Sequence, residues 1–464
     1  MNPWILSTKA KRSPSDTECM SGTLTQNSKK SGAYSSTYTA FKRIDGDHPL
    51  KHAVENIYVG YQAFLRAGGE IGYFNFELAK EMGLIPQSHP HSLSAALKKQ
   101  LLETFSLQII NEYDIEHKTK IAPSLIKAND YMATRYLQIQ HPNKQGKTSG
   151  DGRSMWNGHY KAAVKNQQHA HWDISSCGTG ATRLSPATAN ENKFFKTGDR
   201  LASYGCGRAE FSEGMIAALF SNMMHQKGIA TERTLAVVRF KNGNSVNVRV
   251  AKNLLRPAHF FGYMKRGEFA QLKQLVDYHI SREVENNTLL PEKNEKLKYN
   301  AFLDKVATDF ATASAKFESE YIFCWMDWDG DNILMDGGII DYGTIRQFGL
   351  FHHEYRYDDV NKMSTNITEQ KNKAKYTIQR FVQIVDFLLT GKKKNIKNYA
   401  RHSTLKKFDD IFQETLVRQL LVKIGFTKDQ QAVILKNKSA RDTAFKFQKQ
   451  YRFFEKAVSG RRAY

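Results

Sequence analysis

The residues best suited to chemistry lie in one short stretch in the second half of the chain. Asn332 precedes three apolar residues, a turn follows at 336–338, and a second apolar pair leads to Asp341. This pattern predicts a hairpin of two short strands that brings Asp341 back beside Asp331 and Asn332. Carboxylate and amide oxygens are hard ligands of the kind that hold Mg²⁺ with its phosphates. The stretch therefore predicts a metal–nucleotide site.

Two other interpretations of this stretch were considered. Acids at Asp327, Asp329 and Asp331 resemble the opening of an EF-hand calcium loop, which also needs glycine at its sixth position and glutamate at its twelfth. Asn332 and Gly338 occupy those two positions, so the calcium interpretation fails at both. An acidic hairpin on the surface, without chemistry, is the simpler alternative.

The residues after the second predicted strand favour the nucleotide interpretation. Asp341-Tyr342-Gly343 resembles the Asp-aromatic-Gly pattern with which protein kinases hold a metal ion. In those enzymes an Asn on the preceding loop provides a second metal contact, and a nearby Asp acts as the base. Asp331 and Asn332 stand at the corresponding places in this chain.

The surrounding sequence predicts the elements that position this stretch. Apolar residues at four-residue spacing over 208–227, followed by Gly228, predict a buried helix. Two β-rich runs at 233–240 and 245–251, joined through an Asn-Gly pair, predict a β-hairpin on which Arg249 faces away from the valines. Beyond residue 266, apolar stripes at helical spacing predict mostly helices.

With these motifs in place, the chain resembles the SelO-type (YdiU) protein adenylyltransferases. These are kinase-like proteins that bind ATP in a flipped orientation and transfer AMP to protein hydroxyls. The resemblance runs from about residue 70 to about residue 390. Its motifs follow the order of the family and lie at 149–153, 176–182, 207–209, 228–235, 249–251 with Arg256, 274–278, 330–332 and 340–343.

The resemblance implies a role for eight residues. These are Asp331 as the base, Asn332 and Asp341 as Mg²⁺ ligands, Arg249 and Arg256 as phosphate contacts, and Gly150, Gly152 and Arg153, with Asp341, as nucleotide contacts. The implied cofactor is Mg²⁺ or Mn²⁺, and ATP is the implied substrate. The physical chemistry agrees, because the arginine fork matches phosphate oxygens and glycine loops let backbone N–H groups approach phosphate closely.

The chain departs from the family at two charged positions. The family's phosphate-contacting lysine falls on Cys177, and its helix glutamate falls on Ala217. An inserted segment at about 187–206 contains two lysines, and nearby turns contain two glutamates. The candidate replacements are Lys193 or Lys196 for the lysine and Glu210 or Glu213 for the glutamate. The family's C-terminal redox position is also missing, because no cysteine follows Cys324.

The predicted fold class is α+β, with a kinase-like arrangement of two lobes. Residues 1–45 are rich in Ser and Thr and are predicted to be a disordered tail. The other predicted regions are a helical N-terminal extension at 46–145, a nucleotide-binding lobe at 146–265, and a helical lobe with a basic C-terminus at 266–464.

Charge and composition narrow the possible partners. The 464-residue chain has a net charge of +22, of which +13 lies in residues 391–464 and +4 in residues 1–45. The nearly balanced middle argues against nucleic-acid binding, and the basic C-terminus is predicted to be a solvated face or a docking surface for an acidic partner. Four widely spaced cysteines, no signal sequence and no apolar run of about 20 residues predict a cytoplasmic protein without a membrane segment.

Together these inferences predict Mg²⁺-dependent transfer of AMP from ATP to Ser, Thr or Tyr hydroxyls of proteins. A kinase that transfers the γ-phosphoryl group is the first alternative. A pseudoenzyme that binds nucleotide and serves as an interaction module is the second, and the substitutions at Cys177 and Ala217 favour it.

Overall fold

The computed structural model describes residues 38–139, 141–163, 169–199, 205–323, 330–343, 345–347 and 367–455. The predictions for Asp327, Asp329 and Cys324, and for most of the predicted tail, concern residues outside these ranges. The last part of that tail was predicted wrongly, because Thr39–Arg43 forms a short 3-10 helix. Phe41 in this helix is fully buried against other aromatic rings, so packing fixes this segment.

The described residues form a mixed α and β structure, as predicted. Seven strands make one antiparallel sheet in the order β1-β5-β6-β7-β9-β8-β3, and two further pairs are β2 with β4 and β10 with β11. The strands are β1 Tyr58–Tyr61, β2 Ala63–Leu65, β3 Glu70–Phe74, β4 Leu107–Ile109, β5 Tyr131–Thr134, β6 Ser154–Ala163, β7 His169–Cys177, β8 Arg233–Arg239, β9 Ser245–Ala251, β10 Ile322–Phe323 and β11 Arg346–Gln347.

Helices precede, interrupt and follow the sheet along the chain. They are α1 Leu50–Ala53, α2 Phe76–Glu81, α3 Ala95–Phe105, α4 Glu112–Glu116, α5 Pro186–Glu191, α6 Phe211–Gln226, α7 Pro257–Arg266, α8 Phe269–Glu285, α9 Glu295–Ser319, α10 Ile367–Thr390, α11 Ser403–Lys423, α12 Lys428–Lys436 and α13 Lys438–Glu455. Among the helices that the structure describes, none combines the length and the apolar character that crossing a membrane requires.

The region 46–145 is not mainly helical, which corrects the prediction. It contains strands β1 to β5 as well as helices, and β3 pairs with β8 more than 150 residues further along the chain. Each of these strands has only three to five residues, too few to show a clear alternation. The motif at 176–182 begins inside strand β7, because β6 and β7 pair from Ser154 with Cys177 onward.

The predicted elements around the arginine-bearing strand are confirmed. Strands β8 and β9 form the hairpin, and α6 ends just before Gly228, whose φ of +67° suits a glycine at a helix end. The side chain of Arg249 is partly exposed, whereas its neighbours Val248 and Val250 on β9 are fully buried. The chain therefore presents Arg249 on the side of β9 opposite the valines.

The helical part has an aromatic core that also holds the predicted metal-binding hairpin. Phe260 of α7, Phe302 of α9 and Phe381 of α10 are almost fully buried, with ring centroids 5.7–6.4 Å apart. The apolar residues Ile333 and Ile339 belong to the same hydrophobic cluster. The apolar residues of the predicted metal-binding hairpin therefore pack in the hydrophobic core of the helical part.

Candidate functional site

The segment 331–341 forms the predicted hairpin, in a short form. Ile333 and Ile339 make one antiparallel bridge, and the Leu334 N–H donates to the Gly338 carbonyl at 2.8 Å. At the turn, the Gly338 N–H donates to Asp336 Oδ1, and Gly337 packs so tightly on α9 that a Cβ would lie 2.7 Å from Ala313. The turn is thus fixed from two sides.

A second segment, 230–232, lies beside the hairpin and is joined to it by an isolated β-bridge. Thr231 makes a parallel bridge with Ile339, and the Glu232 N–H donates to the Ile339 carbonyl at 2.9 Å. The Tyr342 hydroxyl donates to the Glu232 carbonyl at 3.1 Å. These backbone contacts bring the buried side chain of Glu232 to the region between β9 and Asp341.

Arg249 extends from β9 towards this region. Its Nη1 lies 3.4 Å from Glu232 Oε2 and 3.5 Å from the Ile340 carbonyl oxygen. Both contacts are long for a guanidinium, since charge-assisted N–H···O bonds are usually 2.7–2.9 Å. Arg249 therefore retains donor capacity for an anionic ligand.

Arg256 contacts the hairpin segment, Tyr136 and the glycine-containing loop at Asp151. It stands at the start of α7, and its Nη1 donates to the Asp331 carbonyl at 2.8 Å and to the Tyr136 hydroxyl at 3.1 Å. Its guanidinium also lies 4.6 Å from the Tyr136 ring centroid, and Nη2 lies 3.7 Å from Asp151 Oδ1. The two predicted phosphate-binding arginines thus both contact the backbone of the hairpin segment.

The loop that contains Gly150 and Gly152 is held by close backbone packing. Gly150 has a φ of +156°, and a Cβ there would lie 2.0 Å from the Thr134 carbonyl oxygen. A Cβ on Gly152 would lie 2.7 Å from Ser185 Cα. Asp151, between them, is buried and accepts hydrogen bonds from Thr134. Both glycines are needed for the packing of this loop, and their predicted nucleotide contacts stay predictions.

Arg153 makes a two-bond ion pair with Glu213 on α6. The Arg153 Nη1 and Nη2 atoms lie 2.9 and 2.7 Å from the two carboxylate oxygens. Of the two candidate replacement acids, Glu213 is therefore the one paired with Arg153, just before β6, whereas Glu210 is exposed at the start of α6. Cys177 is buried at the end of β7.

The replacement lysine is not evident in the geometry. Lys193 Nζ lies 2.8 Å from Glu191, and the Lys193 side chain is 58% exposed. Lys196 is exposed as well. In the part of the chain that the structure describes, neither lysine contacts the site residues, and the replacement of the lysine missing at Cys177 by Lys193 or Lys196 stays a prediction.

Burial dominates the electrostatics of two carboxylates in the site. Burial raises the pKa of Glu232 to about 7, although Arg249 and Arg256 oppose this shift; Asp341 adds to it. Burial raises the pKa of Asp331 to about 6, opposed by Arg256 and reinforced by Asp341. Asp331 Oδ1 and Glu232 Oε2 accept no hydrogen bond from any described residue.

The predicted metal ligands fit a hard cation. Asp331 and Asn332 lie at one end of the hairpin and Asp341 lies just beyond the other strand; Asn332 and Asp341 are both half-buried. Within the described ranges, no group of three or more His, Cys, Asp or Glu side chains is placed to hold a metal ion. A Mg²⁺ ion held by few protein ligands is the usual case, because this ion keeps several waters and binds substrate phosphates.

Three residues of the site were given no role by sequence reasoning. Glu232 and Asp151 lie inside recognised motifs, yet their burial among arginines depends on residues far away in the chain. Tyr136, which contacts Arg256 through both its ring and its hydroxyl, carries no local signal at all. The only signal for Glu232 in the sequence was the position of an acidic residue immediately before a predicted strand.

The fold and the site together define a mixed α and β protein in which two arginines and three carboxylates converge at a buried hairpin. The chain belongs to the family described as protein adenylyltransferase SelO, whose family model matches residues 82–457. This match confirms the resemblance inferred from the motifs and extends it towards the C-terminus.

Curated relatives with the name protein nucleotidyltransferase YdiU are similar to this chain. The protein from Clostridium perfringens strain SM101 is 25% identical over 297 residues, which is 62% of this chain and 55% of the relative. The proteins from Nitrobacter hamburgensis and Shewanella loihica are 25% and 23% identical, over 60% and 64% of this chain and 51% and 59% of the relatives. The chain spans about half the length of the curated relatives it matches.

Proposed function

We propose that this protein transfers AMP from ATP to Ser, Thr or Tyr hydroxyls of other proteins, with Mg²⁺ or Mn²⁺ as cofactor. The proposal includes a kinase-like arrangement of two lobes around the site. The observation that carries it is the contact of both arginines with one hairpin segment. Arg256 donates to the Asp331 carbonyl and Arg249 to the Ile340 carbonyl, which supports a shared location for the proposed phosphate contacts and the proposed metal ligands.

Each residue then has a defined task. Arg249 and Arg256 would hold phosphate oxygens, and Asn332 and Asp341 would hold the metal ion. The bound ion would neutralise phosphate charge during transfer. Asp331 would take the proton of the attacking hydroxyl, whose oxygen bonds to the α-phosphorus while pyrophosphate leaves. Asp331 is buried and its Oδ1 accepts no hydrogen bond from the described residues, so this oxygen can accept a proton.

Two alternatives have specific support. A kinase would use the same metal ligands but would bind ATP with its γ-phosphate at the acceptor, so the difference lies in how Arg249 and Arg256 orient the nucleotide. A pseudoenzyme is favoured by the buried Cys177 and by the surface pairing of Lys193 with Glu191. Under either alternative, protein substrates, the cytoplasmic location and the absence of nucleic-acid binding stay predictions.

The test is the intact mass of the full chain after incubation with ATP and either Mg²⁺ or Mn²⁺, alone and with candidate protein substrates. Wild type is compared with Asp341→Ala and with the control Asp410→Ala, which removes an exposed carboxylate on α11. An AMP-sized increment that is lost only in Asp341→Ala is the expected result.

Other outcomes would redirect the proposal. A phosphate-sized increment would make the protein a kinase and overturn the proposed orientation of ATP. No increment with either metal, while ATP still binds, would identify a pseudoenzyme. An increment that persists in Asp341→Ala would remove Asp341 from the metal site.

A further inference from the structure

A second polar cleft lies at the turn end of the hairpin, away from Asp331 and Asn332. It has a volume of about 310 Å³ and is named here the lysine cleft. Residues from the β9–α7 connection, α9 and the hairpin turn line it, among them Lys252, Asn253, Lys305, Asp309, Lys316 and Asp336. This volume is at the lower end of the range for small-molecule sites.

The carboxylates of the lysine cleft already have partners. Asp309 Oδ2 lies 2.6 Å from Lys305 Nζ, and Glu283 lies 3.6 Å from the same nitrogen. Asp336 Oδ1 accepts the Gly338 N–H at 2.8 Å. One of the three lysines therefore satisfies two of the acids, and the third acid is used in the hairpin turn.

Among the described residues, the other two lysines make no direct ion pair with a carboxylate. In the part of the chain that the structure describes, no Asp or Glu oxygen lies within 4 Å of Lys252 Nζ or Lys316 Nζ. Lys252 Nζ lies 3.4 Å from the centroid of the Trp172 ring, and Lys316 donates to the Gly228 carbonyl. Burial lowers the pKa of Lys252 to about 8, although the charge of Glu81 opposes this shift, and burial also lowers the pKa of Lys316. Partly buried ammonium groups without a counterion are attractive to an anion.

We infer that the lysine cleft is a second binding site, which takes a small anion bearing phosphate or carboxylate groups between Lys252 and Lys316. The anion would supply the negative charge that the two lysines lack. Its remaining polar groups would face Asn253 and Thr312, which also line the cleft.

The residues that line the lysine cleft lie on the same chain segments as the residues of the proposed nucleotide site. Lys252 and Asn253 lie between Arg249 and Arg256 in the chain, and Gly228 and Ala230 lead into Glu232. Met335 and Asp336 form the hairpin turn. Anion binding is therefore expected to change ATP affinity at the other end of the hairpin. That coupling rests on the proposed function, whereas the binding itself does not.

Calorimetric titration of the full chain without nucleotide tests the site, with inorganic phosphate and citrate as separate probes. Phosphate could also bind at the ATP site, so Arg249→Gln is included to weaken that contribution. The variants of the cleft are Lys252→Met, Lys316→Met and the double substitution. Lys296→Met, at an exposed position on the same helix as Lys316, is the matched control.

The expected result is binding that survives in Arg249→Gln and Lys296→Met and weakens at least about tenfold in the double variant. Binding of phosphate alone or of citrate alone would support the site and identify its ligand class. No binding by wild type, or binding lost in Arg249→Gln and kept in the double variant, would overturn the inference. Far-ultraviolet circular dichroism checks folding, and the single variants serve if the double one is unfolded.

Discussion

In the part of the chain that the structure describes, two clusters of buried or partly buried charge differ in how completely their carboxylates are hydrogen-bonded. The site cluster consists of Glu232, Arg249, Arg256, Asp331 and Asp341. The strand β7–helix α8 cluster consists of His48, Asp173 and Arg282, all 2% exposed or less. Both clusters combine buried arginines with carboxylates, so composition alone does not distinguish them.

The hydrogen bonds of the acids do distinguish them. Asp173 accepts from His48 Nε2 at 3.0 Å, from Arg282 Nη2 at 2.9 Å and from the Leu254 N–H at 3.0 Å. Burial alone would raise the pKa of Asp173, but Arg282 and His48 outweigh it and hold the pKa well below its usual range. In the site cluster the pKa values of Glu232 and Asp331 are raised, and one oxygen of each lacks a hydrogen bond from the described residues.

This difference separates a structural cluster from a binding cluster. A buried carboxylate with three donors holds the elements around it together and has little acceptor capacity left for a ligand. A buried carboxylate in which one oxygen accepts no hydrogen bond costs free energy in the folded protein, and such groups are typical of binding sites. We therefore assign the β7–α8 cluster to stability and the site cluster to binding.

The largest expected effect is the loss of stability when the β7–α8 cluster is broken. Arg282→Met leaves Asp173 buried without its main cation, which is expected to lower the free energy of unfolding by about 3–5 kcal/mol. Urea unfolding followed by circular dichroism measures the change. Arg239→Met is the matched control, because the ion pair of Arg239 with Glu70 is exposed and is expected to contribute at most about 1 kcal/mol.

Adding Asp173→Asn to Arg282→Met sharpens this prediction. The second substitution removes the uncompensated charge, so part of the lost stability is expected to return. If Arg282→Met were no more destabilising than Arg239→Met, the β7–α8 cluster would not be the structural one.

A smaller effect is expected from Glu232→Gln, and it depends on pH. The folded pKa of about 7 is higher than the usual value of 4.5, so the folded protein binds more protons than the unfolded chain between these values. Stability from this group is therefore present at low pH and is lost as pH rises through that window, at up to about 1.4 kcal/mol per pH unit. Glu232→Gln is expected to remove this loss.

The measurement is the free energy of unfolding of wild type and Glu232→Gln at pH 5 and pH 7.5. The free energy of unfolding of Glu232→Gln, relative to that of wild type, should increase from pH 5 to pH 7.5. For the exposed control Glu70→Gln, the difference from wild type should be the same at both pH values. A constant or shrinking difference for Glu232→Gln would show that Arg249 satisfies Glu232 fully, and the comparison between the clusters would then fail at this residue.

Sequence reasoning predicted the elements of the fold and of the site that are encoded by residues close together in the chain. The Asn-Gly turn and the alternating valines encode β8 and β9, and the short apolar runs around 336–338 encode the hairpin of the site. These signals are contained within about 20 residues each. Sequence reasoning therefore named Asp331, Asn332 and Asp341 from the hairpin pattern and the two arginines from the family resemblance. The structure places all five around one hairpin, and their roles stay predictions.

The parts that sequence reasoning missed depend on distant partners. Strand β3 is recognisable only through its pairing with β8, and the buried state of Glu232 only through its contacts with Ile339 and Tyr342. The satisfaction of Asp173 likewise needs His48 and Arg282, each more than 100 residues away in sequence. Non-local contacts of this kind leave no pattern in a single sequence.

The most direct test of the account measures ATP affinity and the free energy of unfolding together for Arg249→Gln and Arg282→Met. The account predicts opposite outcomes. Arg249→Gln should bind ATP at least about tenfold more weakly and lose less than half the stability that Arg282→Met loses, while Arg282→Met should keep wild-type affinity at temperatures where it is folded. Wild-type ATP affinity in Arg249→Gln would contradict the assignment of the site cluster to nucleotide binding.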